Sequence, residues 1–477
     1  MDFFSLLLYF LLTITLLQVL HSLLTRTKTR SRLPPGPTPL PVVGNLLKLG
    51  DKPHESLAEL AKIHGPIMSL KLGQVTAVVI SSSALAKETL QKQDMAFSAR
   101  PIPDALNATG QNKYSTIWLP VSDQWRTLRK IMNSNIFSGR MLDANHTLRQ
   151  QKVNELIAHA QKCCQDGVAM DIGSAAFTTT VNLLSNTMFS VDLAGHSQES
   201  TREFKDLITS MTIETAKPNF SDYFPLLAKF DPQGILLYIV NHQLLRNLQR
   251  TNEENDVIDV LLNSKDINRN HIEHMLADLF IAGTDTTSTT IEWAMAEVIR
   301  NPEILKKAKA ELEQTIGKGK LIQESDVSEL PYLRAIVKEA VRIRAPAPFV
   351  LRKVVTDVEV HGYTVPKGTR VLVNAYAIGR DPSIWKNPTT FMPERFLESE
   401  LDFRSMDFEM IPFGAGRRIC PGLPLATRMV QVVLGSLLNS FDWELEGGVA
   451  PEELNMEEKF GMTIQRAQPL RAIPLRI

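Results

Sequence analysis

Cysteine is scarce in this sequence, with only 3 among 477 residues. Two of them, Cys163 and Cys164, are adjacent, so the chain has no disulfide framework and its bulk is expected in a reducing compartment. Charge of one sign is also lacking, because 52 Lys and Arg residues balance 52 Asp and Glu residues. A chain with balanced charges has no overall positive potential that would attract nucleic acid, so no nucleic-acid partner is expected. A G-x-G-x-x-G motif is absent as well, so the sequence gives no sign of a dinucleotide-binding unit.

One long uncharged run is present, at the N-terminus. Residues 3–24 carry no formally charged side chain, and as a helix they would span roughly 33 Å, enough to cross a bilayer core. A cleaved signal peptide would instead show a basic start, a shorter apolar core and a small-residue cleavage site. Asp2 precedes the run, and four basic residues follow it (Arg26, Lys28, Arg30 and Arg32). The sequence therefore predicts a transmembrane anchor over 1–24, with the rest of the chain cytosolic.

The remainder is predicted to be one large domain behind a short linker. The segment LPPGPTPLP has five prolines in nine residues, so 25–41 is expected to form a basic, proline-rich, extended linker. No other low-complexity tract or repeat interrupts 42–477. Alternating patterns predict strands at 67–73 and 77–82, whereas helical periodicity dominates 83–320. The expected fold class is mainly α with a minor β portion.

A helix of unusual length is predicted at about 271–300, where no proline interrupts apolar residues at helical spacing. In its middle lies AGTDTT, residues 282–287. Glycine costs about 1 kcal/mol inside a helix, and Asp285 and Thr286 are polar where burial is expected. Departures from local rules tend to mark functional sites. The alternative is a solvated polar face with a tolerated glycine.

The third cysteine, Cys420, lies in PFGAGRRICPG, residues 412–422. The glycines of this loop allow backbone conformations closed to other residues, and Arg417 and Arg418 supply charge that favours a thiolate or binds an anion. Two interpretations follow, a nucleophile or a metal ligand with one soft sulfur. A catalytic cysteine usually has a histidine partner, and no histidine follows His361. A partner from elsewhere in the fold would still be possible, so both interpretations stay open.

Three motifs in sequence order resemble those of the cytochromes P450. The first, FGAGRRICPG, matches F-x-x-G-x-R-x-C-x-G around Cys420. The second is E-x-x-R at Glu339 and Arg342, with Arg395 added by PERF, and the third is AGTDTT. With the apolar N-terminal run, PPGP and stretches such as DLFIAGTDTTS and NAYAIGRDPS, the chain resembles a plant microsomal cytochrome P450 of the group that contains geraniol 8-hydroxylase. The resemblance covers essentially the whole chain.

The resemblance implies a cytochrome P450 fold, with 42–477 as the catalytic domain, and a haem b cofactor. It assigns Cys420 as the thiolate ligand of the iron, which favours cleavage of the O–O bond. Thr286 and Asp285 correspond to the alcohol and the acid that feed protons to the oxygen site. Further cofactor contacts are implied for Trp125, Arg129, Arg352, Phe413, Arg418 and Gly422, and a buried structural triad for Glu339, Arg342 and Arg395.

The same resemblance implies an NADPH- and O2-dependent monooxygenase of the EC 1.14.14 type, in plant secondary metabolism. It would sit in the endoplasmic reticulum membrane. Because the chain has no dinucleotide motif, its electrons would come from a separate NADPH–cytochrome P450 reductase. Arg126 and Lys130, which flank the implied contacts Trp125 and Arg129, are the candidates for the docking face. The expected substrate is a monoterpenol such as geraniol. The alternatives are another terpenoid, a phenolic, or a haem protein with impaired turnover. The implied substrate contacts are Ala282, Pro348, Phe349, Leu351 and Phe460.

The sequence departs from the family pattern at two places. Where the family reads RLHPPAPFLLPRK, this chain reads RIRAPAPFVLRK. Arg344 and Ala345 thus replace a histidine and a proline, and one residue is missing before Arg352. The stretch around 241–256 is also shorter than in relatives. We expect the first departure to shift the strand that lines the pocket, and the second to alter the roof of the access channel.

Overall fold

The computed structural model describes residues 13, 33–104, 106, 110–195, 219–225, 257–403 and 407–477. Helices predominate, as predicted. They are α1 (Pro53–His64), α2 (Ser83–Lys87), α3 (Gln111–Tyr114), α4 (Asp123–Asn135), α5 (Gly139–Ala144), α6 (His146–Asp166), α7 (Ile172–Phe189), α8 (Phe220–Tyr223), α9 (Val257–Leu262), α10 (Arg269–Arg300), α11 (Pro302–Thr315), α12 (Pro331–Ile343), α13 (Ala375–Ile378) and α14 (Leu423–Ser440).

The β portion is minor, and its largest sheet has four strands in the order β1-β2-β7-β4. The strands are β1 (Ile67–Leu72), β2 (Val75–Ile80), β3 (Met170–Asp171), β4 (Phe349–Lys353), β5 (Val358–Val360), β6 (Tyr363–Val365), β7 (Arg370–Asn374), β8 (Phe441–Leu445), β9 (Glu458–Lys459), β10 (Gln465–Arg466) and β11 (Arg471–Arg476). β2 and β7 pair in parallel, and the other two pairings of this sheet are antiparallel. β1 and β2 confirm the strands predicted from alternation, and the mixed composition confirms the fold class.

The long helix α10 runs through the core. Asn268 caps it by accepting a bond from the backbone of His271, whose side chain accepts one in return. Its C-terminal half is buried on all sides, because Ile291 and Val298 share one apolar cluster with α7, α12 and α14. A helix that is buried all round needs no polar face. The burial of α10 agrees with the long run of apolar residues, uninterrupted by proline, from which the helix was predicted.

The proline-rich segment after residue 32 is docked on the body of the protein. Ser69 of β1 donates from its backbone to the carbonyl of Pro35 at 2.9 Å and from its hydroxyl to that of Pro34 at 2.7 Å. The Asn45 amide donates to the carbonyl of Pro37 at 3.1 Å. Proline has no N–H of its own, so these carbonyls are its main backbone contacts. The segment thereby forms an extended strap along the edge of the sheet.

No helix within the described ranges is long and apolar enough to cross a membrane. The anchor predicted over 1–24 lies outside those ranges, apart from Thr13.

Candidate active site

A cavity of ≈ 920 Å³ lies between the middle of α10, strand β4, the loop before α14 and the C-terminal hairpin β9–β10. The cofactor, catalytic and substrate positions predicted from the sequence all line it. They are Trp125, Arg129, Ala282, Asp285, Thr286, Pro348, Phe349, Leu351, Arg352, Phe413, Arg418, Cys420, Gly422 and Phe460. The structure therefore brings residues separated by more than 300 positions in the sequence into one site.

The loop that carries Cys420 is tightly folded against its surroundings. The Cys420 backbone N–H donates to the carbonyl of Phe413 at 3.0 Å. Gly416 has φ +70°, and a Cβ at this position would collide with the carbonyl oxygen of Leu90. Only glycine tolerates both conditions. The loop therefore holds the sulfur at a fixed position on the cavity wall.

The Cys420 thiol lies at the start of α14 and is only partly accessible. Burial raises its pKa, whereas hydrogen bonds from the backbone of Gly422 and Leu423, and the charges of Arg129 and Arg100, lower it. Burial prevails, so the metal-free thiol stays protonated near neutral pH. A bound cation would reverse this balance, because thiolates form readily on metals.

Four arginines line the cavity on the side of Cys420: Arg100, Arg129, Arg352 and Arg418. Within the described ranges none of them has a carboxylate partner. Instead, Arg129 donates to the carbonyl of Ile419 at 2.7 Å, Arg352 to that of Ala415 at 3.3 Å, and Arg418 to three further carbonyls. Buried cations without counter-ions are costly. The cluster is therefore suited to an anionic ligand.

Burial and mutual repulsion lower the pKa of two of these arginines. Burial, together with the charges of Arg100 and Arg129, lowers the pKa of Arg418 to about 9. Burial, with the charges of Arg100 and Arg418, also lowers the pKa of Arg352 well below its usual value. A dicarboxylate bound here would raise both pKa values again, because an opposite charge favours the protonated guanidinium.

Two members of this region differ from what the sequence indicated. The sequence analysis missed Arg100, because a single arginine in SARPIP does not stand out. In the structure Arg100 lines the cavity, and its Nε has no partner in the described part of the chain. Trp125 lines the cavity, but its indole N–H donates to the carbonyl of Thr116 at 3.1 Å. Its ring instead lies beside the guanidinium of Arg418, 5.1 Å from its centroid.

The predicted catalytic pair also lines the cavity, from the middle of α10. The Thr286 hydroxyl donates to the carbonyl of Ala282, four residues earlier, at 2.7 Å. Its oxygen is thereby left as an acceptor. Asp285 is 4% exposed, and both of its carboxylate oxygens accept hydrogen bonds from the C-terminal hairpin. Gly283 packs closely against Leu184 of α7, so its small size serves the helix contact as well.

The Cytochrome P450 family matches residues 34–471 of this chain. The chain belongs to the cytochrome P450 family. A geraniol 8-hydroxylase of Swertia mussotii is 57% identical over 491 aligned positions, covering 99% of each chain. A geraniol 8-hydroxylase of Catharanthus roseus is 56% identical with the same coverage. A 7-ethoxycoumarin O-deethylase of Helianthus tuberosus is 53% identical and covers 93% of this chain and 94% of its own.

These comparisons confirm the family and the reaction class predicted from the motifs. As a cytochrome P450, the protein is a monooxygenase that uses haem b with an axial thiolate, dioxygen, and NADPH electrons delivered through a redox partner. The alignment of 491 positions exceeds the 477 residues of this chain, so the chain lacks residues that the relative has. The stretch around 241–256, where we expected this shortening, lies outside the described residues.

The residues of this cytochrome P450 site fit the haem. One soft sulfur, Cys420, faces the cavity beside the cationic cluster, whose guanidinium groups suit the two propionate carboxylates of the porphyrin. Arg100, whose buried Nε has no partner among the described residues, adds a cation that the sequence motifs did not indicate. When bound, the haem supplies the reduction of dioxygen and the transfer of one oxygen atom to a C–H bond.

The triad predicted for this cytochrome P450 is formed away from the cavity. Glu339 receives two bonds from Arg342 at 2.6 and 2.7 Å and one from Arg395 at 3.0 Å. Arg342 also donates to the carbonyls of Gly379 and Pro388. Glu339 and Arg342 are fully buried, and removing one partner of such a pair costs about 3–5 kcal/mol. We therefore assign the triad to stability of the fold.

Arg344, at which the sequence departs from the family pattern, is the centre of a network of ion pairs. Arg344 pairs with Glu297 at 2.8 Å and with Glu458, and its guanidinium lies 4.4 Å from the centroid of the Trp293 ring. Glu458 is also bonded to His54 of α1, at 3.1 Å. The arginine thus ties α10, the end of α12 and the C-terminal hairpin together.

The missing residue before Arg352 leaves β4 regular. All five residues of β4 pair in antiparallel register with β7, from Phe349 opposite Asn374 to Lys353 opposite Arg370. Arg352 is 3% exposed and keeps its place at the cavity. The strand is therefore continuous despite the shorter sequence.

Glu458 should give the protein a pH-dependent stability. Burial alone would raise its pKa, but the His54 hydrogen bond and the charges of Arg344 and Arg380 hold it at about 2, against an ordinary 4.5. Because the pKa of Glu458 is lower in the folded protein than in the unfolded chain, its ionised carboxylate stabilises the folded state at any pH above 4.5. This stabilisation is lost as the pH falls from 4.5 toward 2. It amounts to on the order of 3 kcal/mol at neutral pH.

Denaturant unfolding between pH 7 and pH 3 measures this contribution in the wild type, in Glu458→Gln and in Glu457→Gln, an exposed neighbour. At pH 7 we expect Glu458→Gln to have a smaller free energy of unfolding than the wild type. The difference between the two proteins should become smaller below pH 4.5. The Glu457→Gln control should follow the wild type throughout. A gap that does not change with pH would assign the loss to packing instead of charge.

Proposed function

We propose that this cytochrome P450 hydroxylates a monoterpenol such as geraniol at the allylic methyl group far from the alcohol. The observation that carries this proposal is an apolar part of the cavity wall. Pro348, Phe349, Leu351, Phe460 and Ala282 line it and offer no charge. An apolar pocket with few polar groups suits a small lipophilic ligand. Two relatives that are 56–57% identical are geraniol 8-hydroxylases.

The roles of the individual residues follow from the same geometry. Cys420 would hold the iron, and Arg100, Arg129, Arg352 and Arg418 the propionates. The Thr286 oxygen, whose own proton is donated to Ala282, accepts a hydrogen bond from a protonated group in the cavity. The reaction needs two protons for the oxygen atom that leaves as water. Asp285, the preceding residue on α10, is the acid that we propose to relay them.

A phenolic ether is the second candidate substrate. It is favoured by the 7-ethoxycoumarin O-deethylase that is 53% identical to this chain. Incubation of reductase-coupled membranes with a panel of terpenols and alkoxycoumarins separates the two. We expect geraniol and nerol to give one main product, hydroxylated at the remote allylic methyl. Turnover of phenolic substrates, with none of the ten-carbon alcohols, would overturn the substrate proposal. Haem binding without any turnover would indicate an impaired enzyme.

The proposed redox partner is the membrane-bound NADPH–cytochrome P450 reductase, and the proposed location is the endoplasmic reticulum membrane. Arg126 and Lys130 are exposed on α4, the helix whose Arg129 faces the cavity. They would present positive charge close to the cofactor. Arg126 also pairs with the exposed Asp123 at 2.6 Å, and such exposed pairs are weak. The partner's acidic residues could therefore displace it.

Charge reversal at this surface should weaken the reductase interaction. We expect Arg126→Glu with Lys130→Glu to raise the reductase concentration needed for half-maximal turnover, because attraction becomes repulsion. The effect should diminish at high salt. Lys62→Glu, an exposed lysine on α1, is the matched control. Identical titration curves for all three proteins would exclude this docking surface.

A further inference from the structure

The C-terminal hairpin reaches the cavity with its turn. Its strands β9 and β10 pair in antiparallel register, with Gln465 opposite Lys459. All four residues of its turn, 460–463, line the cavity. The same turn that would contact the substrate is therefore within reach of α10.

This hairpin supplies the two hydrogen bonds to the Asp285 carboxylate described above. The Thr463 hydroxyl donates to one carboxylate oxygen, and Gln465 Nε2 donates to the other at 2.7 Å. Thr463 is 6% exposed and Asp285 4%, so water competes little for these bonds. A carboxylate with a donor on each oxygen has its orientation fixed. The position of the proposed proton relay is thus set by residues almost 180 positions away in the sequence.

The two donors are themselves held in place by backbone contacts. Between them lies Ile464, whose N–H donates to the carbonyl of Pro346 at 2.8 Å. Its carbonyl accepts the indole N–H of Trp293 at 2.9 Å. Trp293 is fully buried on α10, two turns beyond Asp285. The segment 463–465 is thereby fixed against the same helix that carries the acid, and the donors are preorganised.

We propose that Thr463 and Gln465 are positioning residues for proton delivery, and that they couple the acid to occupancy of the cavity. Phe460 and Met462 lie on the same turn, so a ligand that packs against them also acts on the bonds to Asp285. This proposal rests on the role proposed above for Asp285.

The step that these residues control is the fate of reduced dioxygen. In the productive reaction, R–H, O2, NADPH and H⁺ give R–OH, H2O and NADP⁺, with the electrons delivered by the reductase. If the second proton does not reach the outer oxygen, O2, NADPH and H⁺ give H2O2 and NADP⁺ instead. Misplacing Asp285 should therefore divert NADPH from product to peroxide without blocking its consumption.

Substitutions that remove one donor and preserve volume test this directly in the full-length, reductase-coupled enzyme. Thr463→Val and Gln465→Leu should each lower the product formed per NADPH about fivefold, the effect of one lost hydrogen bond. Peroxide should rise to match. Thr463→Ser keeps the hydroxyl and should stay near the wild type. The substrate-induced spectral shift should persist in all three, which shows that the site is still formed.

A second readout does not depend on turnover. If Thr463 acts through Asp285, the losses in thermal midpoint caused by Thr463→Val and Asp285→Asn should be less than additive in the double variant. Thr178→Val is the matched control. Thr178 is a buried threonine outside the cavity lining, whose hydroxyl donates to the carbonyl of Ser174 at 3.0 Å. It should leave the ratio of product to peroxide unchanged and be additive with Asp285→Asn.

The proposal is overturned if Thr463→Val and Gln465→Leu keep the wild-type ratio of product to peroxide. It is also overturned if the Thr463→Val and Asp285→Asn losses simply add. If the wild type oxidises no terpenol but forms product efficiently from another substrate, only the proposed substrate is wrong. The ratio of product to peroxide is then compared between the variants on that other substrate.

Discussion

Replacing Cys420 with serine is expected to abolish the reduced carbon-monoxide band of a thiolate-ligated haem, together with all turnover. Serine keeps the shape of the side chain, but its hydroxyl is a poor iron ligand and does not push electron density toward the iron. The loop around Gly416 should remain folded, because its contacts are made by backbone atoms. Absorption difference spectra of membranes that contain equal amounts of each protein measure the effect.

Cys163→Ser is the control for this substitution. Cys163 lies in α6 and packs in the main apolar cluster, with its sulfur 3.9 Å from His159 Nε2. It does not line the cavity, so the carbon-monoxide band should persist in this variant. A normal band in Cys420→Ser would refute the assignment of the iron ligand and every role built on it.

Thr286→Ala should have the second largest effect. We expect it to retain substrate binding and NADPH consumption, while product per NADPH falls at least about tenfold and peroxide rises. The physical reason is the loss of the oxygen acceptor that holds a proton at the cavity wall. Thr286→Ser, which can keep the bond to the Ala282 carbonyl, should recover most of the coupling. An unchanged ratio of product to NADPH in Thr286→Ala would remove this residue from the mechanism.

The sequence predicted the parts of the site whose signals are local. Cys420 stands among glycines and arginines, Asp285 and Thr286 interrupt a long apolar helix, and both signals are readable within about ten residues. The bounds of α10 were predicted within two residues, because its periodicity is continuous and a proline follows its end. The strands β1 and β2 were predicted in the same way, because each shows the alternation typical of a strand.

Other features depend on contacts between distant segments, and the sequence did not indicate them. In the sequence Thr463 is an ordinary polar turn residue and Gln465 an ordinary polar strand residue, and only the fold brings them to Asp285. Arg344 reads as a departure from the family, yet in the structure it joins Glu297 to Glu458. Arg100 has no local signal beyond its charge. The chemistry of each residue is set by its three-dimensional neighbours, which periodicity and spacing do not encode.

Oxygen-18 labelling of the product tests the proposed reaction most directly. Reductase-coupled membranes that contain the wild-type protein are supplied with geraniol, NADPH and ¹⁸O2, and the product is analysed by mass spectrometry. We expect one labelled oxygen atom per product molecule, on the methyl carbon far from the original alcohol, and none in the Cys420→Ser variant. A hydroxylated product whose new oxygen comes from water, or the absence of any product while the haem-thiolate spectrum is intact, would contradict it.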